Sequence, residues 1–124
     1  MDTEAAKPVP QQALDLARRI VDVLADRKAT DIVLMDIHSL ASFADYFVIG
    51  TANSERQMRA VSGAVVEALE RDGARPAQVE GEPDSGWILM DYGDVVVHIF
   101  SPEMREFYQL ERIWTKAPTI LRML

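Results

Sequence analysis

Hydrophobic positions along this chain switch between a helical and a strand period, and the switches set out one order of elements. From Gln11 to Lys28, Leu14, Ala17, Val21, Leu24 and Ala25 recur at helical spacing between charged residues, which predicts an amphipathic helix. Asp31 to Ile37 and Tyr46 to Thr51 are short, nearly unbroken apolar runs. Such runs predict strands covered on both faces. A second helix follows from Asn53 or Ser54, with Met58, Val61, Val65, Val66 and Leu69 as its apolar stripe. Ser54-Glu55-Arg56-Gln57 reads as a capping box at its start, and Gly73 as the left-handed stop at its end. A weak strand is expected at Ala77 to Val79.

Two runs rich in β-branched and aromatic residues, 86–92 and 95–100, flank Gly93-Asp94 and predict a β-hairpin. Ser101-Pro102-Glu103 then opens a helix that the pattern carries to about Trp114. Within it Phe107, Leu110 and Trp114 form an apolar stripe assigned to the core, with Tyr108 at its border. The predicted order is α-β-β-α-β-β-β-α, an α/β fold with a single mixed β-sheet flanked by helices. Residues 1–10 are expected to be a flexible leader, 11–118 the folded domain, and 119–124 an apolar C-terminal tail that the pattern assigns to no element.

Composition narrows the function. The 124 residues suit one domain with one modest core, and 48% hydrophobic content is enough to bury it. The absence of cysteine rules out disulfides, thiolate metal sites and cysteine nucleophiles. Twenty acidic against 13 basic side chains leave a net charge of −7. That balance disfavours binding nucleic acid through phosphates and favours a basic protein partner. No apolar run reaches membrane-spanning length and the start carries no secretion signal, so a cytoplasmic protein is expected.

Candidate chemistry is sparse. Asp91 and Asp94 are the pair that could hold a metal for phosphoryl transfer, with Gly50-Thr51 before a helix as a phosphate cradle. Both aspartates are also ordinary turn residues. His98 lies alone in an apolar strand, which is the setting of a structural histidine rather than a metal ligand. The aromatic residues Trp87, Tyr92 and Tyr108, with acids around them, suit a docking surface: rings supply large contact area at small entropic cost. Alternation puts Trp87, Leu89 and Asp91 on one face of the hairpin and Ile88, Met90 and Tyr92 on the other.

Several motifs occur together: Ala44-Asp45-Tyr46-Phe47-Val48-Ile49, Asn53-Ser54-Glu55-Arg56-Gln57, Glu80-Gly81, Gly86-Trp87, Asp91-Tyr92-Gly93-Asp94 running on to Phe100, and Arg105-Glu106-Phe107-Tyr108-Gln109-Leu110-Glu111 with Trp114. In this order they resemble the Iojap, or ribosomal silencing factor, family from about Asp31 to Pro118. The resemblance implies a fold related to nucleotidyltransferases without enzymatic activity or cofactor. It implies binding to the large ribosomal subunit at its fourteenth protein. Bound there, the protein would block the small subunit from joining and lower translation when nutrients are short. It also implies a homodimer when free. Carried over by position, the contact residues are Trp87, Tyr92 and Tyr108. The alternatives are a metal-dependent nucleotidyltransferase-like enzyme using Asp91 and Asp94, and a homodimeric scaffold.

Overall fold

A computed structural model describes residues 10–124. The expected leader, apart from Pro10, lies outside the described residues. The elements are α1 (Pro10–Asp26), β1 (Thr30–Asp36), β2 (Tyr46–Thr51), α2 (Glu55–Arg71), β3 (Gln78–Glu80), β4 (Trp87–Asp91), β5 (Val95–Phe100), α3 (Pro102–Tyr108), α4 (Leu110–Ile113) and β6 (Thr119–Met123), with a 3-10 turn at Pro83–Ser85. The strands form one sheet in the order β3-β4-β5-β2-β1-β6. The β2–β5 pair is parallel and every other pair antiparallel, so the sheet is mixed as expected.

Alternation along the central strands sorts side chains into two layers. Ile32, Leu34, Tyr46, Val48, Ile88, Met90, Val95, Val97 and Ile99 pack under α1 and α2 in one core. Val33, Met35, Phe47, Ile49, Val96 and Phe100 point the other way into a second, smaller core. Among the described residues that second layer is roofed only by the loop after β1, short α3 and α4, and the turn before β6, through Ala41, Ala44, Met104, Leu110, Trp114 and Ala117. Both faces of β1 and β2 are covered, as their unbroken apolar runs require.

Local signals act largely as the sequence indicates. Ser54 caps α2 by accepting from the Gln57 backbone at 3.0 Å. The return leg of the box reaches one residue further back, from the Asn53 N–H to Gln57 Oε1 at 2.7 Å. The Gln57 amide also donates to the Lys28 carbonyl at 2.8 Å, tying the end of α1 to the start of α2.

Two expectations are corrected. The single helix over 102–114 breaks at Gln109, which adopts a left-handed conformation (φ 47°, ψ 51°) and caps α3 by donating to the Arg105 carbonyl at 2.9 Å. The break changes the helical phase, so Phe107 does not join Leu110 and Trp114 in the core but stands 74% exposed. Past Pro118 the segment without an assigned element is the edge strand β6, antiparallel to β1, with a bulge that leaves Ile120 as an extra residue.

Candidate functional site

The ladder between β4 and β5 sets Trp87 opposite Phe100 and Leu89 opposite His98, all on the lightly roofed face. Helix α3 starts directly after β5, capped by Ser101, whose hydroxyl accepts from the Met104 backbone at 3.2 Å. Its last residue, Tyr108, thereby lies against Trp87 with ring centroids 4.5 Å apart. Trp87 stacks on Phe100, its partner on the ladder (5.1 Å, 27°). Phe107 meets Tyr108 edge-on at 5.0 Å. The row continues through His98 to Phe47 at 4.7 Å, then to Trp114 at 5.6 Å and Phe43 at 6.1 Å. Edge-to-face and offset arrangements of this kind add attraction beyond the area they bury.

Two glycines bring the backbone close enough to build this corner. Gly81, at φ +91°, sits where a Cβ would fall 2.0 Å from the Trp87 carbonyl oxygen. Gly86, at φ +82°, sits where a Cβ would fall within 3 Å of Ser101 Oγ and Met104 Cγ. Any side chain at either position displaces the strand that carries Trp87 or the cap of the helix that carries Tyr108. Between them lies a groove of about 330 Å³ lined by Glu80, Gly81, Ser85, Trp87, Leu89, Met104 and Tyr108.

The structure brings together two of the three aromatic residues singled out in the sequence. Tyr92 is on the opposite side of the sheet, packed against the helix-covered core. Its hydroxyl is buried without a hydrogen-bond partner among the described residues, and burial pushes its pKa up to about 12. The acids also divide. Glu80, Glu82, Asp84 and Glu103 lie on the segments around the Trp87 end, whereas Asp91 and Asp94 flank the hairpin turn at the other end of β4.

The candidate catalytic pair is held by turn geometry. Asp91 Oδ1 accepts from the Gly93 backbone at 2.7 Å, and the Asp94 carbonyl accepts from the Asp45 and Tyr46 backbones. Gly50 has a packing role: its missing Cβ makes room for Leu24 of α1, whose Cδ1 would lie 3.1 Å away. Thr51 Oγ1 accepts from Arg105 Nη1 at 2.8 Å. Among the described residues no group of three or more histidine, aspartate or glutamate side chains is placed to hold a metal ion, and no helix is long and apolar enough to cross a membrane.

Sequence reasoning missed Arg105 and the exposed Phe43. Arg105 is buried and forks onto Glu111 through Nε (3.2 Å) and Nη2 (2.9 Å), while Nη1 reaches the Asp31 carbonyl. Arg105 Nη2 also lies 3.6 Å from the Asp31 carboxylate, and Arg122 of β6 joins both the Asp31 and Glu111 carboxylates. This network pins α3 and β6 to the end of β1. Arg105 and Glu111 stand together in one recognised motif, but nothing in the sequence indicated that they pair. Phe43 is 59% exposed at the far end of the ring row, and nothing in the loop pattern distinguished it.

A family profile described as "Ribosomal silencing factor during starvation" matches residues 10–123. Among similar proteins, the ribosomal silencing factor RsfS of Halalkalibacterium halodurans is 36% identical over 110 residues, covering 89% of this chain and 92% of that protein. A mouse protein named for mitochondrial assembly of the ribosomal large subunit is 32% identical over 99 residues, covering 77% of this chain and 43% of its own length. A crystal structure of a Chromobacterium violaceum protein superposes with a TM-score of 0.78 at 32% identity, covering 87% of this chain and 88% of that one. The match over nearly every described residue and the shared sheet agree with the motifs, and the chain belongs to the ribosomal silencing factor family, a family of ribosome-associated translation regulators.

Proposed function

We propose that this protein represses translation without enzymatic activity, by seating the Trp87–Tyr108 corner on the fourteenth protein of the large ribosomal subunit so that its bulk blocks the small subunit from joining. The observation that carries the reading is the ring pair at 4.5 Å beside an open groove, on the face that no long helix covers. Rings held by a ladder and a capped helix need little ordering on binding, so more of their contact energy reaches affinity. The acids around that corner suit a basic partner surface in the cytoplasm, with association faster at low salt. Tyr92 faces the other way, so a partner reaching it as well has to wrap around the hairpin.

The test is co-sedimentation of the full chain with purified large subunits, followed by addition of small subunits. The parent is expected to bind and prevent joining. Trp87→Ala and Tyr108→Ala are each expected to lose binding, while Tyr92→Ala separates one-faced docking (little loss) from a wrapped partner (large loss). Binding by Trp87→Ala equal to the parent overturns the reading.

The free protein is proposed to pair with a second copy. Support comes from β6, a sheet edge carrying the exposed apolar residues Ile120, Leu121 and Met123 with no proline to guard it. Sedimentation of Leu121→Lys against the parent, expected to shift toward monomer, tests this pairing separately.

A further inference from the structure

The Trp87 indole is the anchor of the proposed surface, and its polar edge turns inward. Indole Nε1–H donates to Nδ1 of His98 at 3.2 Å. His98 is 3% exposed and is gripped by rings: Phe47 meets it edge-on at 4.7 Å, Phe100 lies parallel at 6.1 Å and 7°, and Trp87 itself stands 6.0 Å away. On the ladder, Leu89 and Ile49 flank it on the neighbouring strands. No charged side chain contributes to this setting, and burial alone lowers the His98 pKa to about 4. The imidazole is therefore neutral near pH 7. An Nδ1 that accepts must carry no proton, so the ring proton sits on Nε2. Nε2 is buried without a hydrogen-bond partner among the described residues. The fold thus leaves one buried N–H unsatisfied while satisfying the indole, which is an unfavourable arrangement for a histidine with only a packing role.

We infer that His98 is a positioning residue for Trp87: its Nδ1 holds the indole N–H inward and fixes the plane that the tryptophan presents to its partner. Resting on the proposed docking function, this adds a statement about the partner. With its only donor engaged inside the fold, Trp87 offers carbon surface alone. The matching site on the ribosomal protein is then an apolar or cationic surface that needs no hydrogen-bond acceptor for the indole.

The experiment uses the full chain, labelled with 15N. Trp87→Phe assigns which of the two indole N–H resonances belongs to Trp87. In the parent that proton is expected to exchange slowly with deuterated solvent. His98→Leu should speed its exchange at least tenfold. His98→Asn, whose side-chain oxygen falls near the place of Nδ1, should restore protection. Affinity for purified large subunits should fall at least fivefold in His98→Leu and recover in His98→Asn. In a Trp87→Phe background, His98→Leu should cost no more than twofold further, because the bond is already gone.

Unchanged indole exchange in a folded His98→Leu chain overturns the inference. Should that variant not fold, Trp87→Phe reads the same bond from the other side. The His98 Nδ1 resonance is expected to move toward that of a free imidazole nitrogen, and an unmoved resonance overturns the inference. If the parent fails to bind large subunits, the docking reading falls while the indole readout still judges the bond.

Discussion

The two faces of this sheet are built from the same strands yet are finished differently. The face under α1 and α2 is aliphatic apart from Tyr46 and Tyr92, with Ile32, Leu34, Val48, Met90, Val97 and Ile99 nearly or wholly inaccessible, and two 17-residue helices close it. The opposite face is aromatic, with Phe47, Trp87, His98, Phe100, Tyr108 and Trp114 in one row under two helices of seven and four residues. Aliphatic side chains interlock under a long helix and leave nothing to offer. Under the short roof Phe47, His98 and Phe100 are buried, Trp87 and Trp114 are half-buried, and Tyr108 is exposed. On the proposed reading, stability is concentrated on the first face and recognition on the second.

The sharpest way to break that division is to truncate one residue on each face. Leu24 of α1 is wholly buried and fills the space over Gly50. Leu24→Ala is expected to cost about 2–5 kcal/mol, because the cavity adds to the lost transfer energy. Thermal unfolding should show a midpoint roughly 10 °C lower, since each kcal/mol moves a domain of this size by several degrees. Binding of the fraction still folded should be unchanged. Trp87→Ala should do the reverse: a smaller drop in Tm with about 2 kcal/mol or more lost in affinity, some thirtyfold in Kd. Equal Tm losses in the two variants, or lost affinity in Leu24→Ala at a temperature where it is folded, would erase the distinction.

The helix-covered face was the more legible of the two. Its elements announce themselves by period, and β2, α2 and the hairpin fall where the hydrophobic pattern puts them. Alternation by itself separates Trp87 from Tyr92. The open face depends on events that leave little trace in sequence. Gln109 turns left-handed without being glycine, at about 1–2 kcal/mol, and so removes Phe107 from the core. Strand β6 exists because Ile32 to Met35, near the other end of the chain, offer it an edge, not because its own residues alternate. That Tyr108 meets Trp87 rather than the core follows from where α3 begins, with Ser101 alone between it and the end of β5. The motifs pointed to the candidate site residues, but only the packing shows which of them lie together.

The faces should also differ in their response to acid, since the open one holds the buried histidine. The folded His98 pKa is lowered to about 4, while the unfolded value is near 6.5. Between those values the unfolded chain binds the proton and the folded chain does not. The contribution is therefore fully present above pH 6.5 and is lost as pH falls toward 4. At pH 5 the loss is about 2 kcal/mol. Denaturant unfolding at pH 7 and pH 5 measures it as a lower midpoint at unchanged slope. His98→Asn should flatten the dependence. His38, raised by its exposed pairing with Asp36, acts in the opposite direction and does not produce this slope.

The smallest expected effect tests the division inside a single hairpin. Tyr92 and Trp87 belong to the same segment, yet the Tyr92 hydroxyl is enclosed on the helix side without a partner among the described residues. A buried hydroxyl that makes no hydrogen bond has lost its water and gained nothing in exchange. Tyr92→Phe removes that group and keeps the ring. Unfolding stability should therefore stay level or rise, by at most about 1 kcal/mol. Large-subunit affinity should not change, because the atom removed is inaccessible on the face turned away from Trp87. A destabilised Tyr92→Phe chain would mean that the hydroxyl has a partner in solution. A tenfold loss of affinity with stability intact would mean that the partner reaches around the hairpin, and recognition would then draw on both faces of the sheet.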